Sequence, residues 1–256
     1  MQQLNLEKMG QLLKTRFVGR HLIHRNRIGS SMDLARREAA RGAAEGSLIL
    51  AEEQTAGRGR FGRPWLSPPG ENLYLTLIMR PEMERLSSLS IITPLAVCLA
   101  VEETTGLYCH IKWPNDILIG ERKLAGVLIE SALAGDEVHY ALIGIGLNVN
   151  LDVEVYPDIA EIATSLKREL GREIPREQVL ATLLNRFEEQ YAGPPEIAFA
   201  AWQERLETLG RQIRVRIGDE VEEGLAEEVD AKGSLILRRA DGSRLTIPAG
   251  EVTLRG

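Results

Sequence analysis

The chain has 256 residues, of which 44% are hydrophobic and 27% charged, and its formal net charge is −6. This composition predicts a globular protein with its own core, and the acidic balance argues against holding nucleic acid by bulk positive charge. Two cysteines, Cys98 and Cys109, are too few for a disulfide framework and indicate core residues in a reducing compartment. Because the N-terminus lacks a signal peptide and the longest apolar run (89–101) is short of the roughly 20 residues of a membrane span, we expect a cytoplasmic protein without membrane association.

The first half of the chain predicts helices and strands around one irregular loop. Periodicity and capping residues predict a helix over 6–17, a strand over 21–28, a helix over 32–41 capped by Ser30 or Ser31, and strands over 47–51 and 72–79. Residues 53–70, rich in Gly, Arg and Pro, are too polar and too rich in helix breakers for regular structure.

The second half opens with a buried helix over 87–105, which Pro94 should bend or start. The pattern then predicts strands at 109–113, 117–119, 123–133 and 138–149, with a turn at 134–137. A mainly helical region follows over 158–209, with Pro175 at a helix start. The last part of the chain predicts strands at 211–217, 221–229, 234–239, 243–247 and 251–254, with turns at Gly218-Asp219, Lys232-Gly233 and Asp241-Gly242. The fold class is therefore α+β: an antiparallel or mixed sheet with helices over 1–209, then a small β barrel of SH3 type over 210–256. No Gly-x-Gly-x-x-Gly opens a parallel βαβ unit, which excludes a Rossmann fold.

The most informative segment is an arginine- and glycine-rich loop. It reads Gly57-Arg58-Gly59-Arg60-Phe61-Gly62-Arg63-Pro64-Trp65. Glycine lets a backbone approach an anion closely, arginine donates forked hydrogen bonds to phosphate or carboxylate, and tryptophan offers a flat face for a purine. In isolation a solvated Arg/Gly turn is an equal alternative, but together with the motifs below the loop predicts closure over a nucleotide.

A second motif joins a carboxylate to an ammonium group. The segment Lys112-Trp113-Pro114-Asn115-Asp116 ends a predicted strand in a turn, and Lys123 follows seven residues later. Alone, this is an ordinary β-turn. A hairpin would bring Asp116 and Lys123 together, either as a plain ion pair or as the working pair of a site that stabilises a phosphorylated acyl group. Three glycines on predicted strands, Gly126, Gly144 and Gly146, indicate close approach to the backbone or a bare floor for a ring.

These segments resemble biotin protein ligases. The motifs Gly57-Arg58-Gly59-Arg60-x-Gly62-Arg63-x-Trp65, Lys112-Trp113-Pro114-Asn115-Asp116, Lys123-x-x-Gly126 and Gly144-x-Gly146-x-Asn148 occur in that family's order and spacing. The resemblance implies a catalytic domain similar to class II aminoacyl-tRNA synthetases and lipoate ligases over 1–209, and an SH3-like domain over 210–256. It also implies two steps: biotin and MgATP give biotinyl-5′-adenylate and pyrophosphate, and a lysine of a biotin carboxyl carrier domain then displaces AMP.

The resemblance assigns roles by position. It implies a biotin site formed by Ser30, Ser31, Met32, Gln54, Arg58, Gly59, Arg60, Lys123 and Gly126, and a nucleotide site formed by Arg58, Arg60, Arg63, Trp65, Asn115, Lys123 and Asn148. The implied catalytic residues are Lys123, Asp116, Arg58 and Arg60, with Asp116 orienting or deprotonating the incoming lysine. Ser31 stands where many members have Thr, and Met32 where some have a polar residue.

The sequence leaves alternative functions to compare with a biotin protein ligase. A lipoate-type ligase is the nearest enzymatic alternative. A non-catalytic biotin-binding regulator would be expected to lack Lys123, Asp116 or the arginines, and a nucleic-acid-binding module is opposed by the net charge. Only about 20 residues precede the catalytic region, so we expect no N-terminal DNA-binding domain and no DNA partner. Four scattered histidines predict no metal site, and an edge near residues 138–146 would pair two subunits in a homodimer.

Overall fold

The computed structural model describes residues 3–218 and 220–254. Its helices are α1 (Leu6–Leu12), α2 (Ser31–Ala40), α3 (Met83–Leu86), α4 (Leu89–Thr105), α5 (Leu166–Leu170), α6 (Arg176–Ala192) and α7 (Pro195–Glu204). Its strands are β1 (Leu22–Ile28), β2 (Ser47–Gln54), β3 (Leu73–Met79), β4 (His110–Lys112), β5 (Asp116–Ile119), β6 (Arg122–Ala134), β7 (Glu137–Leu147), β8 (Gln212–Ile217), β9 (Glu220–Val229), β10 (Leu235–Arg238), β11 (Arg244–Ile247) and β12 (Glu251–Leu254).

Seven strands form one mixed sheet in the order β1-β2-β3-β7-β6-β5-β4. The pair β1–β2 is parallel and the other described pairs are antiparallel, which confirms the predicted mixed sheet. The edges of the sheet are β1 and β4, so the predicted edge is wrong for residues 141–146, whereas residues 138–140 pair with β6 alone among the described strands. From Ala141 to Leu147, β7 is paired on both sides, because β3 returns along it. Residue patterns report which face of a strand is buried but not the order of strands.

Side-chain alternation gives the sheet two apolar faces. Along β2, Leu48 and Leu50 enter the main core with α4 and α6, whereas Ile49 packs with α2 on the opposite face. Both faces of β2 are therefore buried. Among the described residues, no helix is long and apolar enough to cross a bilayer.

One predicted helix boundary, and one of the two alternatives for Pro94, are wrong. The first helix ends at Leu12, because the carboxylate of Glu188 accepts hydrogen bonds from the backbone N–H groups of Arg16, Phe17 and Val18 and holds them outside a helix. Pro94 does not mark the start of α4, which begins at Leu89 and continues through the proline. A proline at its sixth position removes one intrahelical hydrogen bond, and the buried apolar side chains of α4 hold the helix together.

The region from 158 to 209 is only partly helical. Residues 166–170, 176–192 and 195–204 form helices, with Pro175 capping the second as predicted. Residues before Leu166 instead pair with β6: the Lys123 N–H donates to the carbonyl of Ile162, and the Thr164 N–H donates to the carbonyl of Lys123. This pairing brings segment 151–164 to the end of the sheet.

The C-terminal strands form a second, antiparallel sheet in the order β11-β10-β9-β8-β12, as expected for an SH3-like module. The predicted turns at Gly233 and Gly242 are present, each with positive φ, whereas Asp219 of the first turn lies outside the described residues. The Trp113 indole N–H donates to the Gly233 carbonyl at 2.9 Å, and one continuous core joins both sheets. The module is thereby fixed against the strand that leads into the Pro-Asn-Asp turn.

Candidate functional site

A cavity of about 760 Å³, a size suited to a small-molecule ligand, lies against the face of the seven-stranded sheet that carries Gly126, Gly144 and Gly146. The loop 57–65 covers one side and strand β12 of the C-terminal module closes another. The structure brings all fourteen predicted site residues to its wall: Ser30, Ser31, Met32, Gln54, Arg58, Gly59, Arg60, Arg63, Trp65, Asn115, Asp116, Lys123, Gly126 and Asn148.

The arginine loop, residues 57–65, is a folded hairpin-like excursion. At its neck the Trp65 N–H donates to the Gly57 carbonyl at 2.9 Å, and nearer the tip the Gly59 N–H donates to the Arg63 carbonyl at 2.8 Å. Phe61 turns the tip with φ 57° and is 65% exposed. The predicted absence of regular structure is therefore nearly correct, with a 3₁₀ turn at 60–62 as the exception.

The three loop arginines have different partners. Arg58 donates to both carboxylate oxygens of Asp33, at 3.0 and 2.8 Å, which raises its own pKa and lowers that of Asp33. Arg60 is more deeply buried, and desolvation lowers the pKa of its guanidinium. Its Nη1 donates to Asn115 Oδ1 at 3.1 Å and to the Gly250 carbonyl at 3.0 Å.

Strand β12 reaches the loop through a second contact, an ion pair between Arg63 and Glu251. Arg60 and Arg63 therefore tie the loop tip to the C-terminal module, whereas Arg58 ties its base to the first turn of α2. All three arginines line the cavity, and Arg60 is the most deeply buried of them.

Trp65 lies on a floor made of glycine. Gly126 and Gly146 are cross-strand partners on β6 and β7. A Cβ at Gly126 would lie 3.1 Å from Cζ3 of the indole, and one at Gly146 would lie 2.7 Å from Cζ2. The bare strand face predicted for a ring thus holds the indole itself, while Gly144 makes room for the sulfur of Met32. The indole N–H is buried and has no protein partner among the described residues.

Asp116 and Lys123 meet across the β5–β6 hairpin, as predicted. Lys123 Nζ lies 2.7 Å from Asp116 Oδ1 and 5.2 Å from the centre of the Trp65 ring. The backbone bonds of Lys123 to segment 151–164 hold it on the cavity wall. A carboxylate, an ammonium and an aromatic face therefore converge at one place.

The end of the cavity beneath α2 is small and polar. Gln54, the last residue of β2, accepts a hydrogen bond from the Ser31 N–H at 2.8 Å, and the Thr76 hydroxyl donates to the Ser31 hydroxyl at 2.9 Å. Ser30 occupies the predicted N-cap position, but its side chain makes no capping hydrogen bond. Met32 is buried at 3% exposure and forms an apolar wall beside these polar groups.

The amide side chains of Asn115 and Asn148 are engaged by the protein. Asn115 Nδ2 donates to the Val127 carbonyl at 2.8 Å. Asn148 donates to the Thr164 carbonyl at 3.0 Å and accepts from Asn72 at 3.3 Å. Asn148 therefore fixes segment 151–164 beside the cavity.

Sequence reasoning missed two parts of the wall. The segment 151–163 contributes apolar side chains, and the C-terminal module contributes residues 250–253. The first had a signal in the sequence: the cavity-lining residues Leu151, Ile159 and Ile162 are apolar residues in a polar stretch. The second had none, because contacts between distant segments leave no local pattern. Within the described ranges no cluster of His, Cys, Asp or Glu has the arrangement of a metal site.

Comparisons with known proteins agree with this geometry. The pattern of the biotin/lipoate A/B protein ligase family matches residues 27–148, and that of the biotin protein ligase C-terminal domain matches residues 208–255. The bifunctional ligase/repressor BirA of Bacillus subtilis is 36% identical over 237 residues, which are 90% of this chain and 73% of that protein. The biotin–[acetyl-CoA-carboxylase] ligase of Paracoccus denitrificans is 36% identical over 229 residues, 85% of this chain and 94% of that protein.

A solved structure supports the same assignment. The biotin protein ligase of Aquifex aeolicus, in complex with biotin and ATP, superimposes with a TM-score of 0.78 at 30% identity, over 92% of this chain and 99% of that one. The predicted architecture, a class II synthetase-like catalytic fold with an SH3-like C-terminal module, is confirmed. On sequence and on structure, this chain belongs to the biotin protein ligase family.

Proposed function

We propose that this chain activates biotin with ATP and transfers it to a lysine of a biotin carboxyl carrier domain. The observation that carries the proposal is the convergence of Lys123, Asp116 and Trp65 in one cavity that ends in a small polar pocket. The Aquifex aeolicus relative binds biotin and ATP in its solved complex, and the Paracoccus denitrificans relative is named for a carboxylase substrate.

In the first step the ureido head of biotin occupies the polar end at Ser31 and Gln54, and its carboxylate lies beside Lys123. A carboxylate oxygen attacks the α-phosphorus of ATP, a P–O bond forms, and pyrophosphate leaves with its electron pair. Lys123 and Arg60 offset the negative charge that collects at the reacting oxygens, and burial strengthens Arg60 in this role. Mg²⁺ enters with ATP as part of the substrate.

In the second step a neutral lysine amine of the carrier attacks the acyl carbon of the adenylate. The amide bond forms, the acyl–phosphate oxygen bond breaks, and AMP leaves. Asp116, 2.7 Å from Lys123, accepts the proton of the incoming amine or orients it. Because water would hydrolyse the mixed anhydride, the arginine loop excludes water from the cavity until the carrier lysine attacks the adenylate.

The division into a catalytic domain over 1–209 and a C-terminal domain over 210–256 forms part of the proposal. The boundary falls between α7 and β8, where one sheet gives way to the other. Two unpaired cysteines, Cys98 and Cys109, support a reducing, cytoplasmic location.

The test is transfer of labelled biotin onto a purified carrier domain, with and without ATP. We expect transfer by the wild-type chain, none by Lys123→Met, and wild-type transfer by Lys14→Met, which removes an exposed lysine outside the cavity. Lipoate is run as a parallel substrate. Transfer of lipoate in place of biotin would move the assignment to a lipoate-type ligase, and tight biotin binding without transfer would indicate a non-catalytic regulator.

A further inference from the structure

Ser67 is a buried residue that the proposed steps do not use. It follows the arginine loop by two residues, is 6% exposed, and is absent from the cavity wall. It lies behind Gln54, the side chain that we place against the head of biotin. A serine here therefore acts on a ligand only through its neighbours.

The hydroxyl of Ser67 joins two parts of the site. It accepts a hydrogen bond from Gln54 Nε2 at 3.1 Å and donates to the Trp65 carbonyl at 3.0 Å. The same Gln54 accepts the Ser31 N–H through Oε1, so its amide is held at both ends in one orientation. One hydrogen of Nε2 remains for the cavity side. The hydroxyl thus connects the polar end of the cavity with the neck of the loop.

Gly57, at the other side of the neck, shows how tightly this junction is packed. A Cβ at this position would lie 2.6 Å from the Trp65 carbonyl oxygen, 2.7 Å from Ser67 Oγ and 3.1 Å from Gln54 Nε2. Real Cβ atoms do not show the first two of these distances, which are below 3.0 Å. Any side chain at residue 57 would displace the hydroxyl bridge, so the neck geometry and the bridge depend on each other.

We propose that Ser67 is a positioning residue that couples occupation of the biotin head pocket to the arginine loop. This rests on the proposed function and deepens it. A ligand carbonyl that accepts from Gln54 Nε2 fixes the amide against Ser67, whose hydroxyl in turn holds the Trp65 carbonyl and the loop neck.

The experiment compares Ser67→Ala with Ser67→Thr, which keeps the hydroxyl, and with Ser47→Ala. Ser47 is the matched control, since it is fully buried at the start of the same strand as Gln54 and its hydroxyl makes one bond to the Ala44 carbonyl at 2.7 Å. We expect Ser67→Ala to raise KM for biotin about tenfold, because Gln54 Nε2 loses the hydroxyl that accepts its hydrogen bond. The kcat at saturating biotin should stay within about twofold of the wild-type value. Ser67→Thr restores KM, and Ser47→Ala lowers Tm without changing KM.

Two further readouts separate coupling from general stability. Saturating biotin alone should slow amide hydrogen exchange over residues 57–66 in the wild type but not in Ser67→Ala. The double variant with Gln54→Ala should lose no more biotin affinity than Gln54→Ala alone, because the two residues act as one unit. A wild-type KM in Ser67→Ala, or independent multiplying losses in the double variant, would overturn the coupling. If the wild type itself fails to transfer biotin, the proposed function is wrong, whatever the Ser67 variants show.

Discussion

The glycine floor beneath Trp65 gives the sharpest prediction. In Gly146→Ala the new Cβ would overlap Cε2 and Nε1 of the indole and lie 2.7 Å from Cζ2, whereas ordinary carbon contacts are near 3.5–4.0 Å, so the ring must move by about 1 Å. Misplacing a binding group by that distance costs about 100-fold in rate, or about 2.7 kcal/mol of transition-state stabilisation. We therefore expect kcat/KM for ATP in the adenylation step to fall about 100-fold.

The assay is biotin-dependent exchange of labelled pyrophosphate into ATP, which follows adenylation without a carrier. The matched control is Gly144→Ala on the same strand: its Cβ would meet the flexible Met32 side chain, which can yield, so the ATP kinetics should change less than tenfold. In a Trp65→Ala background, Gly146→Ala should cost little more. Wild-type ATP kinetics in Gly146→Ala would refute the placement of the indole on this floor.

Three further predictions concern stability, pH and dynamics. Glu52→Gln should lower the free energy of unfolding by about 3 kcal/mol in urea titrations, because it removes the charge of a carboxylate 2.8 Å from the buried Arg176; an unchanged midpoint would contradict this. Since Arg58 lowers the folded-state pKa of Asp33, this pair contributes stability above the unfolded pKa of about 3.9 and loses it as pH falls through the lower folded value. The Tm difference between wild type and Asp33→Asn should therefore be constant near neutrality and vanish in acid. A difference that grows in acid would contradict the lowered pKa of Asp33. Biotin plus ATP should slow hydrogen exchange over residues 53–66, and unchanged exchange would exclude loop ordering.

Local chemistry made the site predictable from the amino-acid sequence. The Arg/Gly loop, the Pro-Asn-Asp turn and the strand glycines each require particular residue types at fixed spacing. The hairpin between Asp116 and Lys123 is a short-range feature, so the sequence was sufficient to predict their approach, and they lie 2.7 Å apart.

Residues whose conformation depends on distant partners were not predictable. Phe17 continues the helical spacing of the first helix, yet the carboxylate of Glu188, 171 residues away in sequence, holds its backbone outside that helix. The pattern predicts a mainly helical region from residue 158, but the backbones of Ile162 and Thr164 pair with Lys123.

The sequence by itself therefore determined the mixed α+β fold, the residues that line the candidate site and the family to which they point. Tertiary structure alone decided the strand order, with β7 paired on both sides, the seating of Arg60 against the Gly250 carbonyl, and the bridge through Ser67. The physical reason is range. Propensity, capping and turn geometry act over a few residues, whereas these contacts join segments that only the folded core brings together.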